Sequence, residues 1–99
     1  MGKLIYGRRE IEIDDRTLAH LKIVILTKLR RNESFAFNHV RDPEEGSGRS
    51  TLWMHPALPL EFLFYGSRSP DFNREWVEAM LHSANSPEGL RILPEHPPS

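Results

Sequence analysis

The sequence of 99 residues contains no cysteine. It therefore has no disulfide, no thiolate nucleophile and no zinc site built on cysteine, and its stability must come from packing or from association with other chains. No run approaches the roughly 18 uncharged apolar residues of a membrane helix. Neither sign of charge dominates, with 13 basic and 14 acidic side chains and a formal net charge of -1. This balance argues against a surface covered in phosphate contacts, although it is compatible with local basic patches.

The length sets the scale of the protein. A chain of this size forms one small domain that buries roughly 60 to 70% of its unfolded surface, which excludes a two-domain enzyme. The opening stretch from Met1 to Tyr6 is too short and too quickly polar for a signal peptide. Together with the lack of cysteine, this predicts a cytoplasmic protein.

Hydrophobic periodicity and turn residues predict the element order β-β-α-β-β-β-α-β. The predicted strands are 3–6, 10–14, 34–40, 50–55, 60–65 and 90–93. A first helix is expected over 15–31, and a second begins at Asp71 or Asn73 and ends near Ala84, because these side chains can cap a helix. The order indicates a single α+β domain over 1–93, with an antiparallel sheet of about five to six strands and two helices packed on it.

Two segments are predicted to lie outside the packed elements. Residues 41–49 are rich in Gly, Ser, Pro and charge and predict a mobile hairpin loop. Residues 94–99 contain three prolines and predict a Pro-rich tail. Neither segment is expected to contribute to the core.

The predicted first helix is apolar over more than one face. On a helical projection, Ile25 and Leu29 lie within about 60° of Leu18, and this face is expected to be core. Further apolar residues widen the arc: Ile23, Val24 and Leu26. Either the second helix and the sheet cover both flanks, or a partner chain covers one of them.

Two predicted strands carry large apolar groups on both faces. In 60–65, Leu63 and Tyr65 alternate with aromatic neighbours, and in 50–55, Trp53 lies between Leu52 and Met54. One face of each strand must be core, so the other exposes Trp53 or Tyr65 unless something covers it. Exposed aromatic rings beside arginines can stack on nucleic-acid bases. The alternative is a second apolar layer or a dimer interface.

Motifs of common catalytic and cofactor sites are absent from the sequence. Its five histidines show no H-x-x-x-H spacing for a metal, and neither Gly-rich phosphate loop occurs. No serine lies in a G-x-S-x-G turn. The sequence therefore indicates no catalytic, cofactor-binding or metal-binding residue, and no small-molecule substrate.

Two functions remain open on these patterns. The first is a non-catalytic protein-association module that forms homo-oligomers, with Ile23, Val24, Leu63 and Tyr65 as candidate interface residues. The second is a nucleic-acid-associated protein in which arginines contact phosphates and aromatic rings stack on bases. Its candidate residues are Arg8, Arg9, Arg30, Arg31, Trp53 and Tyr65.

Five stretches of the sequence are distinctive: MGKLIYG at 1–7, EIEIDDRTLAHLK at 10–22, KLRRNESF at 28–35, GRSTLW at 48–53 and SANSP at 83–87. Over nearly the whole chain, they resemble a family of actinobacterial proteins of about this length whose function is unknown. Members of that family often carry the automatic label ATP-dependent DNA ligase, so the resemblance implies an accessory role in DNA repair or ligation for the second function.

The ligase label can be tested against the lysines of the sequence. Ligases of that class form a lysyl-adenylate at a K-x-D-G motif. Lys3, Lys22 and Lys28 are each followed by other residues, so no such motif is present. The resemblance therefore implies no catalytic residue in this chain.

Overall fold

The computed structural model describes residues 2–40 and 48–97. Within these ranges the chain forms two helices and six strands. They are β1 (Gly2–Tyr6), β2 (Arg9–Ile13), α1 (Asp15–Arg30), β3 (Phe35–Val40), β4 (Arg49–Met54), β5 (Leu60–Leu63), α2 (Arg74–Ala84) and β6 (Leu90–Arg91). The predicted α+β class and element order are confirmed. Of the predicted loop 41–49, residues 41–47 lie outside the described part of the chain.

The strands of the described residues divide into two three-stranded sheets. The first has the order β2-β1-β5, and both of its pairs are antiparallel. The second has the order β4-β3-β6, in which β6 pairs with β3 in parallel. The sequence had predicted one antiparallel sheet instead. Strand patterns show which segments are extended, but they do not show which segments pair.

Tyr6 joins the two sheets. Its hydroxyl donates a hydrogen bond to the carbonyl of Trp53 at 2.5 Å and accepts one from the amide of His55 at 2.9 Å. Tyr6 is only 7% exposed. The end of β1 is therefore held against the end of β4, although these strands belong to different sheets.

The helices cover one side of the two sheets. Helix α1 packs on β1, helix α2 packs on β3 and β6, and the helices pack on each other. The predicted core face of α1 is confirmed at Leu18 and Ile25, which are fully buried, while Leu29 is partly buried and packs against the core. The largest fully buried side chains are Phe37, Leu4, Leu18, Leu21, Ile25, Met54, Met80, Leu90, His20 and Val24. Neither helix of the described ranges combines the length and the apolar character that crossing a membrane requires.

Two aspartates organise the start of α1. Asp14 caps the helix, since its carboxylate accepts from the amide of Thr17 at 3.0 Å. Asp15 reaches the chain beyond β5 and accepts from the amides of Gly66 at 2.7 Å and Tyr65 at 3.3 Å. These backbone hydrogen bonds, that of Gly66 above all, lower the pKa of Asp15. The end of β5 is thereby attached to the first turn of α1.

Candidate functional site

Strand β5 is an edge of the first sheet, because it pairs with β1 on one side only. Gly7 lies opposite Pro59, and its amide donates to the Pro59 carbonyl at 3.0 Å. In an antiparallel pair, every second residue of a strand directs its backbone groups to the neighbouring strand. Counting in steps of two from Pro59, the backbone groups of Glu61 and Leu63 point towards β1. Those of Leu60, Phe62 and Phe64 point away from the sheet. In the described part of the chain, no hydrogen bond reaches these outward groups.

The side chains of β5 alternate between the core and the solvent. Leu60, Phe62 and Phe64 are partly buried and pack against the core. On the opposite face, Leu63 is 38% exposed, and Tyr65, two residues further on, is 61% exposed. The free backbone edge of β5 with Leu63 and Tyr65 is named the β5 edge below. Both residues were predicted interface residues, and the structure places them next to each other.

The sheet face beside the β5 edge carries mostly acidic side chains. Lys3 lies opposite Leu63 in the β1–β5 pair and opposite Glu12 in the β1–β2 pair. Its ammonium lies 3.1 Å from the carboxylate of Glu10, and this hydrogen bond raises the pKa of Lys3. Glu61 faces the same side and is exposed. One lysine is therefore set among three glutamates on this face.

The other two predicted interface residues lie on α1. Val24 is fully buried in the protein's own core, which corrects its assignment to an interface, because it has no surface left for a partner. Ile23 is half-buried. The neighbouring Lys22 extends its ammonium to 5.8 Å from the centre of the Phe64 ring. This turn of α1 therefore borders the end of β5.

The two aromatic residues predicted to stack on bases lie far apart. Trp53 is 61% exposed on β4, and its carbonyl is bonded to Tyr6 at the end of β1. Tyr65 is attached to Asp15, close to Gly2 at the beginning of β1. The length of β1, roughly 13 Å at about 3.3 Å per residue, separates these two ends. Trp53 and Tyr65 therefore lie by opposite ends of β1.

The predicted phosphate-contacting arginines are all exposed. Arg8 lies in the turn between β1 and β2, and Arg9 donates to the hydroxyl of Ser50 at 3.4 Å. Arg30 ends α1, and Arg31 is its C-cap, with a backbone amide bonded to the last carbonyls of the helix. Arg8 and Arg9 lie at the same end of β1 as Trp53, because Tyr6, just before the turn, donates a hydrogen bond to the Trp53 carbonyl.

One surface was not recognised from the sequence. On the outer face of the second sheet, Arg49 and Trp53 occupy alternate positions of β4, with Thr51 between them. Thr51 donates to Asn38 at 2.6 Å, and Asn38 lies in register with Arg91 of β6. The alternation along β4 is visible in the sequence. Arg91 belongs to this surface only because β6 pairs in parallel with β3. The sequence does not indicate that pairing.

A buried histidine connects the helices and was also missed. His20 is fully buried. Its Nδ1 lies 2.7 Å from the Arg16 carbonyl, and its Nε2 lies 3.0 Å from the Asn73 amide. These two bonds assign the proton to Nδ1, because Nε2 must accept. The ring packs 4.5 Å from that of Trp76. His20 is therefore a packing residue with both nitrogens used, rather than a group available for chemistry.

An ion pair attaches the chain after β6 to both helices. Arg16 donates to both oxygens of Glu95, at 2.8 and 2.7 Å, and Asn73 donates to the same carboxylate at 3.0 Å. The bonds from Arg16, and then that from Asn73, lower the pKa of Glu95 to about 2. Asn73 is also the N-cap of α2. Within the predicted tail 94–99, Glu95 therefore makes specific contacts, and residues 98–99 lie outside the described part of the chain.

A buried lysine connects the other ends of the helices. The ammonium of Lys28 donates to the carboxylate of Glu33 at 2.7 Å and to the side-chain oxygen of Asn85 at 2.6 Å. The hydrogen bond from Lys28 lowers the pKa of Glu33. Asn85 is the C-cap of α2. In the described residues, no group of three His, Asp or Glu side chains is arranged to hold a metal ion.

Three comparisons relate the chain to known proteins. A family model described as "Domain of unknown function (DUF7882)" matches residues 1–95. No curated protein matches the sequence. No solved structure matches it.

Proposed function

Because the chain belongs to the DUF7882 family, whose function is unknown, we propose a function from its geometry: a protein-association module that forms homo-oligomers through the β5 edge. One observation supports this function above all. The outward backbone groups of β5 have no partner in the described residues, and the exposed side chains of Leu63 and Tyr65 lie beside them. We also propose that the protein acts in the cytoplasm, since the absence of cysteine suits a reducing compartment.

An unpaired strand edge favours the addition of another strand. Its donors and acceptors stand in a row that matches the edge of a second strand. Proteins that avoid such pairing place lysine, proline or a covering segment on the edge. Within β5 there is no lysine or proline, and Glu61 is its one charged residue. Pro59 precedes the strand and leaves its outward amides in place.

The expected association is weak. Full burial of a leucine side chain contributes about 1.5 to 3 kcal/mol, so that Leu63 and its copy supply a useful but limited driving force. A strand of four residues buries less than the roughly 1,600 Å² of a standard interface. We therefore expect a dimer with a dissociation constant of the order of 10 µM, or roughly -7 kcal/mol.

Sedimentation equilibrium over a concentration series tests this function. The weight-average mass should rise from 11.5 kDa towards twice that value as the concentration passes through the expected dissociation constant. Leu63→Glu should remove the dimer, because it replaces an apolar side chain by a fourth carboxylate on a face that already carries three glutamates. Leu58→Glu is the matched control, since Leu58 is 48% exposed but lies outside β5. A wild-type protein that remains monomeric at about ten times the expected dissociation constant would contradict the function.

A second candidate function, nucleic-acid binding in an accessory role to DNA repair or ligation, is favoured by a different observation. Trp53 is exposed on the same sheet face as Arg49, with Arg91 across the sheet. A stacking ring flanked by cations suits a single strand better than a duplex.

Fluorescence anisotropy with a labelled single strand and a labelled nicked duplex tests the second candidate. Phosphate contacts predict binding at about 50 mM salt that falls steeply by about 200 mM. Trp53→Ala should weaken single-strand binding, and Arg30→Ala with Arg31→Ala should weaken binding to both probes without unfolding the protein. Absence of binding at the lower salt concentration rejects this candidate.

A further inference from the structure

We propose that two copies of the chain pair β5 with β5 in an antiparallel arrangement, around a two-fold axis at Phe62. The two first sheets then form one continuous sheet of six strands. This inference rests on the proposed function and specifies its partner and its register.

The alternation of β5 restricts the registers that are available. Only Leu60, Phe62 and Phe64 direct their backbone groups to the free edge, so only these residues can exchange hydrogen bonds with a second copy. Three registers with a two-fold axis between the copies keep most of β5 paired. The axis lies at Glu61, at Phe62 or at Leu63. The axis at Glu61 places this carboxylate directly opposite its copy, which destabilises a strand pair.

Hydrogen bonding distinguishes the other two registers. With the axis at Phe62, Phe62 pairs with its copy and Leu60 pairs with Phe64 of the second copy, so that every outward group of β5 finds a partner. With the axis at Leu63, Leu60 would face Gly66 of the second copy. The Gly66 amide already donates to Asp15 at 2.7 Å. The axis at Phe62 therefore satisfies more backbone groups.

The side chains agree with the same register. On the outer face, Glu61 lies opposite Leu63 of the second copy, and Lys3 lies directly behind Leu63 in the sheet. An acidic and a basic side chain from different copies thus flank each Leu63. On the inner face, Leu60 meets the aromatic ring of Phe64 of the second copy. Apolar pairs opposite each other are the contacts that stabilise antiparallel strands.

Disulfide trapping reads the register directly, because the wild-type chain contains no cysteine. A chain with Glu61→Cys is mixed with a chain with Leu63→Cys under mild oxidation. Opposite residues that share no hydrogen bonds have Cα atoms about 4.5 Å apart, which fits a disulfide. In a dimer of a single variant, the two introduced cysteines lie diagonally across the strand pair, with their Cα atoms about 7 to 8 Å apart. The mixed 61–63 disulfide should therefore form several times faster than either self-linked dimer.

Controls separate this inference from the proposed function. Ala79→Cys, exposed on α2, should cross-link no faster than random collision. Sedimentation of each cysteine variant under reducing conditions shows whether the dimer itself persists. Dominant self-linking of Leu63→Cys or of Glu61→Cys would overturn the register. A dimer without any of these disulfides would overturn strand pairing while homo-oligomerisation stands, and a monomer throughout would overturn both.

Discussion

Replacing Tyr6 by phenylalanine removes one oxygen atom that bridges the two sheets. The hydroxyl donates to the Trp53 carbonyl at 2.5 Å and accepts from the His55 amide at 2.9 Å. The phenylalanine ring fits the same buried space, so that core packing is unchanged. The substitution therefore isolates the contribution of the two hydrogen bonds between the sheets.

The expected loss follows from the surroundings of these groups. A hydrogen bond contributes about 0.5 to 1.5 kcal/mol net, and a buried group left without a partner costs about 1 to 3 kcal/mol. Because Trp53 and His55 are both exposed at their side chains, water can reach part of this region. We therefore expect Tyr6→Phe to lower the free energy of unfolding by about 1 to 3 kcal/mol in total.

Urea unfolding followed by tryptophan fluorescence measures this loss. The transition midpoint should fall while the slope stays constant, since the surface exposed on unfolding is unchanged. Tyr65→Phe is the control, because Tyr65 is exposed and its hydroxyl takes no part in the hydrogen bonds between the sheets. Both variants are compared at concentrations where the protein is monomeric. A Tyr6→Phe variant within about 0.5 kcal/mol of the wild type, the usual range of surface changes, would refute the bridging role.

Three further substitutions test the fold. Ile25→Ala should lower the free energy of unfolding by about 2 to 5 kcal/mol, measured by urea, since Ile25 is fully buried; an unchanged midpoint would contradict the core face of α1. Gly89→Ala should lower the melting temperature, because Gly89 has φ +92° and an added Cβ would lie 2.6 Å from the Ala36 carbonyl; wild-type melting would contradict this close approach. Hydrogen bonds from Arg16 and Asn73 lower the pKa of Glu95 from its ordinary 4.5 to about 2. The contribution of these bonds to the stability of the fold is therefore complete above pH 4.5 and is lost as the pH falls towards 2. Melting temperatures of the wild type and Glu95→Gln should accordingly differ at pH 6 and converge on acidification, and a constant difference would contradict the ion pair.

Local signals predicted the helices well. Helix α1 was expected over 15–31 and spans Asp15–Arg30, because its cap and its apolar period are both encoded within the segment. Asn73 likewise marks the start of α2 through its own side chain. All six strands were also located from the sequence, including β6, which was expected over 90–93 and spans Leu90–Arg91. These elements depend on residues that are neighbours in the chain.

The arrangement of the strands depends on distant residues. Tyr6 and Trp53 are 47 positions apart, and no local pattern indicates their contact. The burial of Val24 has a similar cause, because the wide apolar arc of α1 is covered by the protein itself at that position. A helical projection shows that such a residue needs cover, but not which surface supplies it.

The polar network was missed for the same reason. His20 and Asn73 are 53 positions apart, and Arg16 and Glu95 are 79 apart. Each residue is ordinary in its own segment. By contrast, the candidates Leu63 and Tyr65 came from strand alternation alone, since a strand with apolar groups on both faces leaves one of them outside the core.

Amide hydrogen exchange by NMR at low and high protein concentration tests the β5 edge most directly. Pairing with a second copy predicts that the amides of Leu60, Phe62 and Phe64 become slower to exchange as the concentration rises. Those of Glu61 and Leu63, which already point towards β1, should change little. This alternation would identify the free backbone edge as the site of association. Exchange rates of Phe62 and Phe64 that are independent of concentration, or protection that appears only on another element, would contradict the account.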